Sequence, residues 1–364
     1  MRLLSAMASV FGRGDDGALS VPPMDGVFKP NNRLEAAERV VEIVAIDNLT
    51  VAAGTLYGSS GDALMRIDAR GGAAEIVRRF DGEITMLTAS PSGRIAIGVQ
   101  GAGLALLDGA GGAQVFDLPA DCRSCITAGL FRDEDNLALA IGSRRHPWSE
   151  WKWDLMSHGA TGAVANARVS TGAFAIMHDN LAFPYGLAVG GDDCLIVSES
   201  WRHRIVSLPT SGTIPRPVLT ELPAYPARIV AASDGGYWLA FFAPRRQLTE
   251  FVLQEDDYRR EMMETIPSES WIGPDFADGS SEEQPLQAGS VRQMGIMKPW
   301  APSRSYGLVV HLDRNMAPTA SFHSRADGST HGVASVVEWG GQLYAASRGA
   351  GALIRLGVGA GGSR

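Results

Sequence analysis

The sequence predicts an all-β chain, a six-bladed β-propeller with two loop and helical inserts over one mouth of its central channel. Three observations carry this reading. Six times along the chain a Gly- or Asp-led turn runs into a short apolar strand, and a second strand follows after a few small polar residues. The leading apolar positions of these strands, Leu56, Ile95, Leu137, Leu195, Tyr237 and Leu343, are separated by 39, 42, 58, 42 and 106 residues. Once inserts are set aside the long gaps fall to roughly 40–50 residues, the period of propeller blades. Glycine makes up 43 of 364 residues, well above the usual ~7%, as a fold with many tight turns requires.

The elements follow in order. Residues 1–21 form an N-terminal extension in which Leu3, Leu4, Met7, Val10 and Phe11 share one helical face. No small-residue cleavage site follows, so the segment reads as an amphipathic helix or a loosely held terminus, not as a signal peptide. The propeller occupies residues 22–358. Its six strand pairs are 54–57 with 64–68, 93–96 with 104–108, 135–138 with 163–169, 193–196 with 204–207, 235–238 with 308–313, and 341–344 with 353–356. The segment 38–44 is expected to complete the ring beside strand 352–357, because closure removes exposed sheet edges. Residues 359–364 read as a flexible tail.

Two inserts interrupt the repeat. The first, about 144–158, carries Trp148, Trp151 and Trp153, either as an aromatic wall over a binding cavity or packed on its own blade. The second, about 245–300, opens with Leu248, Phe251, Val252, Tyr258, Met262 and Met263 at helical spacing and continues into a polar tract near 279–283. It reads as a lid, with a dimer contact as the alternative.

Composition narrows the function classes. At 45% hydrophobic and 20% charged residues the chain buries an ample core, which excludes disorder. A net charge of −8 without a dense Lys/Arg run excludes nucleic acid as a partner. Three cysteines, Cys122, Cys125 and Cys194, are too few for a disulfide framework and point to a reducing, cytoplasmic setting. The pair Cys122 and Cys125 reads as incidental buried thiols, or as a redox or metal motif lacking its usual surroundings. No apolar run reaches the 18 or so residues needed to span a bilayer. The stretch Gly98 to Gly103 lies between two strands and opens no helix, so it is a hairpin and not a phosphate loop. The sequon at Asn48 falls at the proposed channel floor and is discounted.

The run from Phe183 to Val189 (FPYGLAV), followed by Ile196 to Ile205 (IVSESWRHRI), resembles the fourth blade of the strictosidine synthase-like and gluconolactonase (senescence-marker protein) superfamily. So do Tyr225 to Ile229 (YPARI), Asp234 to Trp238 (DGGYW), and His331 to Tyr344. Met24 to Arg33 and Trp153 to Met156 are similar to stretches of bacterial members joined to or encoded with ABC-transporter permeases. The resemblance covers the chain from about residue 22 and implies a six-bladed propeller, most often a lactone or ester hydrolase.

Relatives of the gluconolactonase type are expected to hold Ca²⁺ through one acidic and several Asn/Asp side chains, hard oxygen ligands that suit this ion. Here Asp47 keeps the acidic position and Asn48 follows it, but Tyr185 stands for one Asn, and Ala227 and Arg228 for an Asp-Asn pair. A guanidinium in this place substitutes for the cation, so no metal and no cofactor are expected. The glutamate on which strictosidine synthases depend is matched by Ala334, which disfavours that condensation.

The candidate site is therefore catalytic Asp47, Arg228 and His331, with Tyr185, Glu199, Trp153 and Asn48 binding a small-molecule substrate. Arg228 and Tyr185 suit a carboxylate or an oxyanion, and Asp47 or His331 suits proton transfer. Against this, Asp47 with Arg228 reads equally as a buried ion pair, Glu199 as a brace for Arg202 or Arg204, Tyr185 as packing, and His331 as a turn cap. The expected function is a metal-independent hydrolase of a lactone, ester or related cyclic small molecule. The alternatives are a non-catalytic ligand-binding propeller, one attached peripherally to a membrane transporter, and a lyase or synthase.

Overall fold

Six four-stranded antiparallel sheets follow one another along the chain, each running from an inner strand outward. In this computed structural model the described residues are 21–108, 112–191, 193–210, 214–277, 292–293, 296–297 and 304–357. The inner strands are Ile46–Ala52, Ile84–Ala89, Ile126–Phe131, Pro184–Val189, Ala224–Ala231 and Val333–Trp339. Every strand pair read from the sequence is the middle pair of one blade. These strands show the apolar runs because neighbouring blades cover both their faces.

The ring closes as expected. Strand Glu38–Glu42 pairs antiparallel with the last strand, Ala352–Leu356, and becomes the outer strand of the sixth blade. Segments far apart in sequence thus share one sheet, and the free side of strand Ala352–Leu356 is covered. The helical face expected at Leu3, Leu4, Met7, Val10 and Phe11 and the tail expected at 359–364 lie outside the described residues.

Between blades the core is mostly aliphatic. Ile46, Leu56, Ile67, Tyr344 and Leu353 fill the seam between the sixth and first blades, and Leu195, Val197, Val206 and Leu208 that between the third and fourth. Aromatic packing concentrates instead at one end, beneath the two inserts. The first insert contributes helix α1 (Trp151–Met156), and the second contributes α2 (Gln247–Gln254) and α3 (Asp256–Thr265). Each connects the second and third strands of its blade, so both rise at the channel end where the inner strands begin.

One irregularity recurs around the ring and positions the site. All six inner strands carry a register shift close to their start: between Asp47 and Thr50, Ile84 and Met86, Ile126 and Ala128, Pro184 and Gly186, Pro226 and Ile229, and Val333 and Ser335. A bulge inserts residues that the partner strand does not match and re-aims their side chains. The inserted residues include Asn48, Thr85, Thr127, Tyr185, Arg228 and Ala334, one position from each blade.

Candidate functional site

Arg228 is buried and crosses the channel from the fifth blade. Its Nη1 donates to Asp47 Oδ1 at 2.8 Å and to the Ala334 carbonyl at 3.4 Å. Nη2 donates to the Thr85 carbonyl at 2.8 Å and to Asn48 Oδ1. One guanidinium therefore ties the first, second, fifth and sixth blades. Asn48 makes its contact from a left-handed backbone, φ 53°, a conformation Asn tolerates better than most residues. Its amide nitrogen donates to Ser59 Oγ at 2.8 Å and to the Ile84 carbonyl at 3.0 Å. Gly186 allows this approach, since a Cβ there would lie 2.6–2.8 Å from the backbone of Ala227 to Ile229.

A second guanidinium, absent from the sequence reading, completes the cluster. Arg348 lies in the turn after strand Gln342–Ser347 and donates from Nη1 to Asp47 Oδ2 at 3.1 Å and from Nη2 to Glu83 Oε1 at 3.3 Å. Both oxygens of the buried Asp47 carboxylate are thus held by arginines, and Oδ1 also accepts the Asn48 N–H at 2.7 Å. Glu83, Arg348, Asp47 and Arg228 form a row of alternating charges. It runs from the partly exposed Glu83 and Arg348, with side chains 33% and 18% accessible, into the interior. Burial works against the Arg348 charge, but Asp47 and Glu83 outweigh it and hold its pKa above the ordinary arginine value.

Aromatic rings roof this row. Arg228 lies 5.1 Å over the Tyr185 ring, and Arg348 4.5 Å over Phe276 and 5.9 Å over Trp148, contacts in which a ring face attracts a cation. Trp148 packs on Tyr185 at 5.6 Å and Phe276 on Phe242 at 4.9 Å. The Tyr185 hydroxyl is buried without a hydrogen-bond partner. Burial, then the Asp47 charge, push its pKa far above that of a free phenol, so it remains a proton donor. On the other side of Arg228 the channel holds a cavity of about 190 Å³ lined by Leu49, Leu87, Leu130, Leu187 and Val337 among others.

Of the residues expected at the site, Asp47, Asn48, Tyr185 and Arg228 come together. Glu199 does not join them. Fully buried, it accepts the Ala182 N–H at 2.7 Å, Arg204 Nε at 2.6 Å and Arg202 Nη1, all within the fourth blade. Trp153 stacks edge-to-face on Trp271 at 4.8 Å and is 36% exposed, because α1 directs Trp151 inward instead, as the 3-10 turn before it directs Trp148. His331 is buried in the connection to the sixth blade, where its Nε2 meets the Arg325 carbonyl at 2.8 Å and its own carbonyl accepts the Gly349 N–H at 3.1 Å. It supports the turn that carries Arg348. Cys122 and Cys125 are free buried thiols whose pKa burial raises to about 11 and about 12, so they are protonated and inert.

The residues present do not fit a divalent cation. Asp47 Oδ1, Asn48 Oδ1 and the carbonyls of Thr85 and Ala334 are hard oxygens of the kind Ca²⁺ takes, but Arg228 already holds all four, and Arg348 sits on the remaining Asp47 oxygen. An ion there would displace one guanidinium and face the other. Among the described residues no group of three or more His, Cys, Asp and Glu side chains could hold a metal. No helix among them is long and apolar enough to cross a membrane.

No protein-family model matches the chain. The adipocyte plasma membrane-associated protein of Danio rerio is 26% identical over 263 residues, which is 63% of this chain and 61% of that protein, less than two thirds of its length. The protein of the same name from Salmo salar is 22% identical over 359 residues, covering 91% of this chain and 80% of that one. Among solved structures, a calcium-binding protein, regucalcin, from Agrobacterium tumefaciens superposes with a TM-score of 0.56 at 12% identity, covering 88% of this chain and 93% of the other. A gluconolactonase from Xanthomonas campestris superposes with a TM-score of 0.56 at 12% identity, covering 89% and 90%. The chain therefore has the six-bladed propeller fold of the regucalcin and gluconolactonase structures, with an arginine at the centre of its channel.

Proposed function

We propose that the chain is a lactonase- or esterase-type hydrolase whose reacting centre is the row Glu83, Arg348, Asp47 and Arg228, working without a bound cation. The observation that carries this reading is the pair of guanidinium groups fixed on one buried carboxylate, with the outer one reaching solvent beside a second carboxylate. Preorganised positive charge of this kind favours the oxyanion that develops when a carbonyl is attacked. The solved gluconolactonase of the same fold supports this reaction class.

The roles follow from accessibility. Glu83 takes the proton of an attacking water, and the carbonyl oxygen, as it gains charge, faces Arg348. Collapse of the tetrahedral intermediate breaks the bond to the alkoxy oxygen, which recovers the proton from Glu83. Asp47 has both oxygens engaged, so it is a positioning residue for Arg348, and Arg228 in turn holds Asp47. Removing the base alone tests the assignment. Glu83→Gln is expected to lower kcat on the preferred lactone or ester by about 10²-fold or more, with an unchanged unfolding midpoint. Wild-type turnover in that variant would exclude Glu83 as the base.

One observation favours the second reading, a non-catalytic ligand-binding propeller: the Asp47 carboxylate is saturated by its arginines and resembles a plug. In that case a ligand binds with no turnover of any lactone or ester. Peripheral membrane association is a further proposal, supported by the names of the two fish proteins, and co-flotation with liposomes measures it.

A further inference from the structure

The two inserts are sewn to each other by one carboxylate. Asp275 Oδ2, in the second insert, accepts Lys152 Nζ of the first at 2.5 Å and Arg304 Nη2 at 3.2 Å. Lys152 also reaches the Ser268 carbonyl at 3.5 Å, and Arg304 the Glu269 carbonyl at 2.7 Å. Burial lowers the Lys152 pKa against the opposing pull of Asp275, so this ammonium depends on its partner. The Trp153 and Trp271 stack joins the same two segments, and Phe276, next to Asp275 in sequence, is the ring that covers Arg348.

Beneath the inserts several buried polar atoms have no hydrogen-bond partner: the hydroxyls of Tyr185, Tyr225, Ser200 and Thr249, His203 Nε2 and Asp154 Oδ1. Aromatic contacts link three of them into one region, Tyr185 to Phe242 at 6.1 Å, Phe242 to Tyr225 at 5.6 Å, and Tyr225 to His203 at 4.6 Å. Trp201 joins through its contact with Tyr225 and its bond to Asp154 Oδ2 at 2.8 Å. Buried polar groups are nearly always paired, with protein or with water, and no protein group pairs these, so they form a polar surface that water or a ligand reaches when the inserts part.

We propose that the segments 145–156 and 247–277 move as one cap, latched by Asp275, and that its opening exposes the hydroxyls of Tyr185 and Tyr225 and the imidazole of His203 to whatever enters the channel mouth. The closed cap covers one face of Arg348 with the Phe276 ring, which strengthens its charge on that side. The proposal concerns access and stands whether the site is catalytic or only binds.

Hydrogen exchange read by mass spectrometry tests it without a substrate. Asp275→Asn should raise amide exchange about 5- to 30-fold, the change expected on removing a partly buried ion pair from a local opening. The rise should appear together in residues 145–156 and 247–277 while blade strands stay unchanged. Lys152→Met, which leaves Arg304 on Asp275, should raise exchange in the same two segments by a smaller factor. A rise confined to the second insert, or none, overturns the single cap. Loss of the cooperative unfolding transition in Asp275→Asn also overturns it, because a latch on the cap is not needed by the propeller.

Discussion

Arg228→Ala is expected to destabilise the chain by about 3–5 kcal/mol, the usual cost of removing one member of a buried ion pair, and to lower turnover about 10²-fold or more. Four acceptors each lose a donor at once: Asp47 Oδ1, Asn48 Oδ1 and the carbonyls of Thr85 and Ala334. They belong to three blades other than that of Arg228, so the loss is felt around the ring. Turnover falls because Asp47, freed on one side, no longer fixes Arg348. Asp47→Asn should act in the same direction, leaving two guanidinium groups facing each other. Combined, the two changes should cost less than the sum of the single ones, since they interrupt one network. Urea denaturation and kcat/KM measured on the same preparations separate the two effects. If both variants lose stability while turnover per folded molecule stays at the wild-type level, the pair is a plug and the second functional reading holds.

Glu199→Ala is expected to have the next largest effect on stability and none on chemistry. The fully buried carboxylate accepts the Ala182 N–H and two arginines. Its loss strands a buried N–H and two charge-assisted bonds, about 3 kcal/mol in all. The arginines recover part of their hydration because Arg202 and Arg204 are 42% and 26% exposed. All of these contacts lie in the fourth blade, so the kcat of the folded fraction should equal that of wild type. A selective loss of kcat in Glu199→Gln, which keeps the shape, would return Glu199 to the active site.

The blades were legible because their middle strands are covered on both faces and announce themselves as apolar runs after turn residues. Ring closure was legible for a related reason, since segment 38–42 has no partner nearby in sequence. The bulges were not. A register shift depends on what a strand pairs with, so the chain shows only that Asp47, Tyr185 and Arg228 occupy like positions, and not that a bulge turns each toward the axis.

Arg348 and Glu83 were missed because they sit in turns, where charge is ordinary. The available signal was one of balance, since a buried carboxylate has two oxygens and Arg228 was assigned to it alone. Trp153 was misplaced for a geometric reason: three tryptophans in six residues cannot share one side of a single helical turn, and α1 directs Trp153 outward against Trp271.

The most direct measurement is wild-type turnover of a lactone or ester after exhaustive chelation, with divalent metal content determined on the same sample. A guanidinium-based centre predicts an unchanged rate without stoichiometric metal, because Arg228 and Arg348 supply the positive charge at the channel mouth. A rate lost on chelation and restored by Ca²⁺ would contradict it.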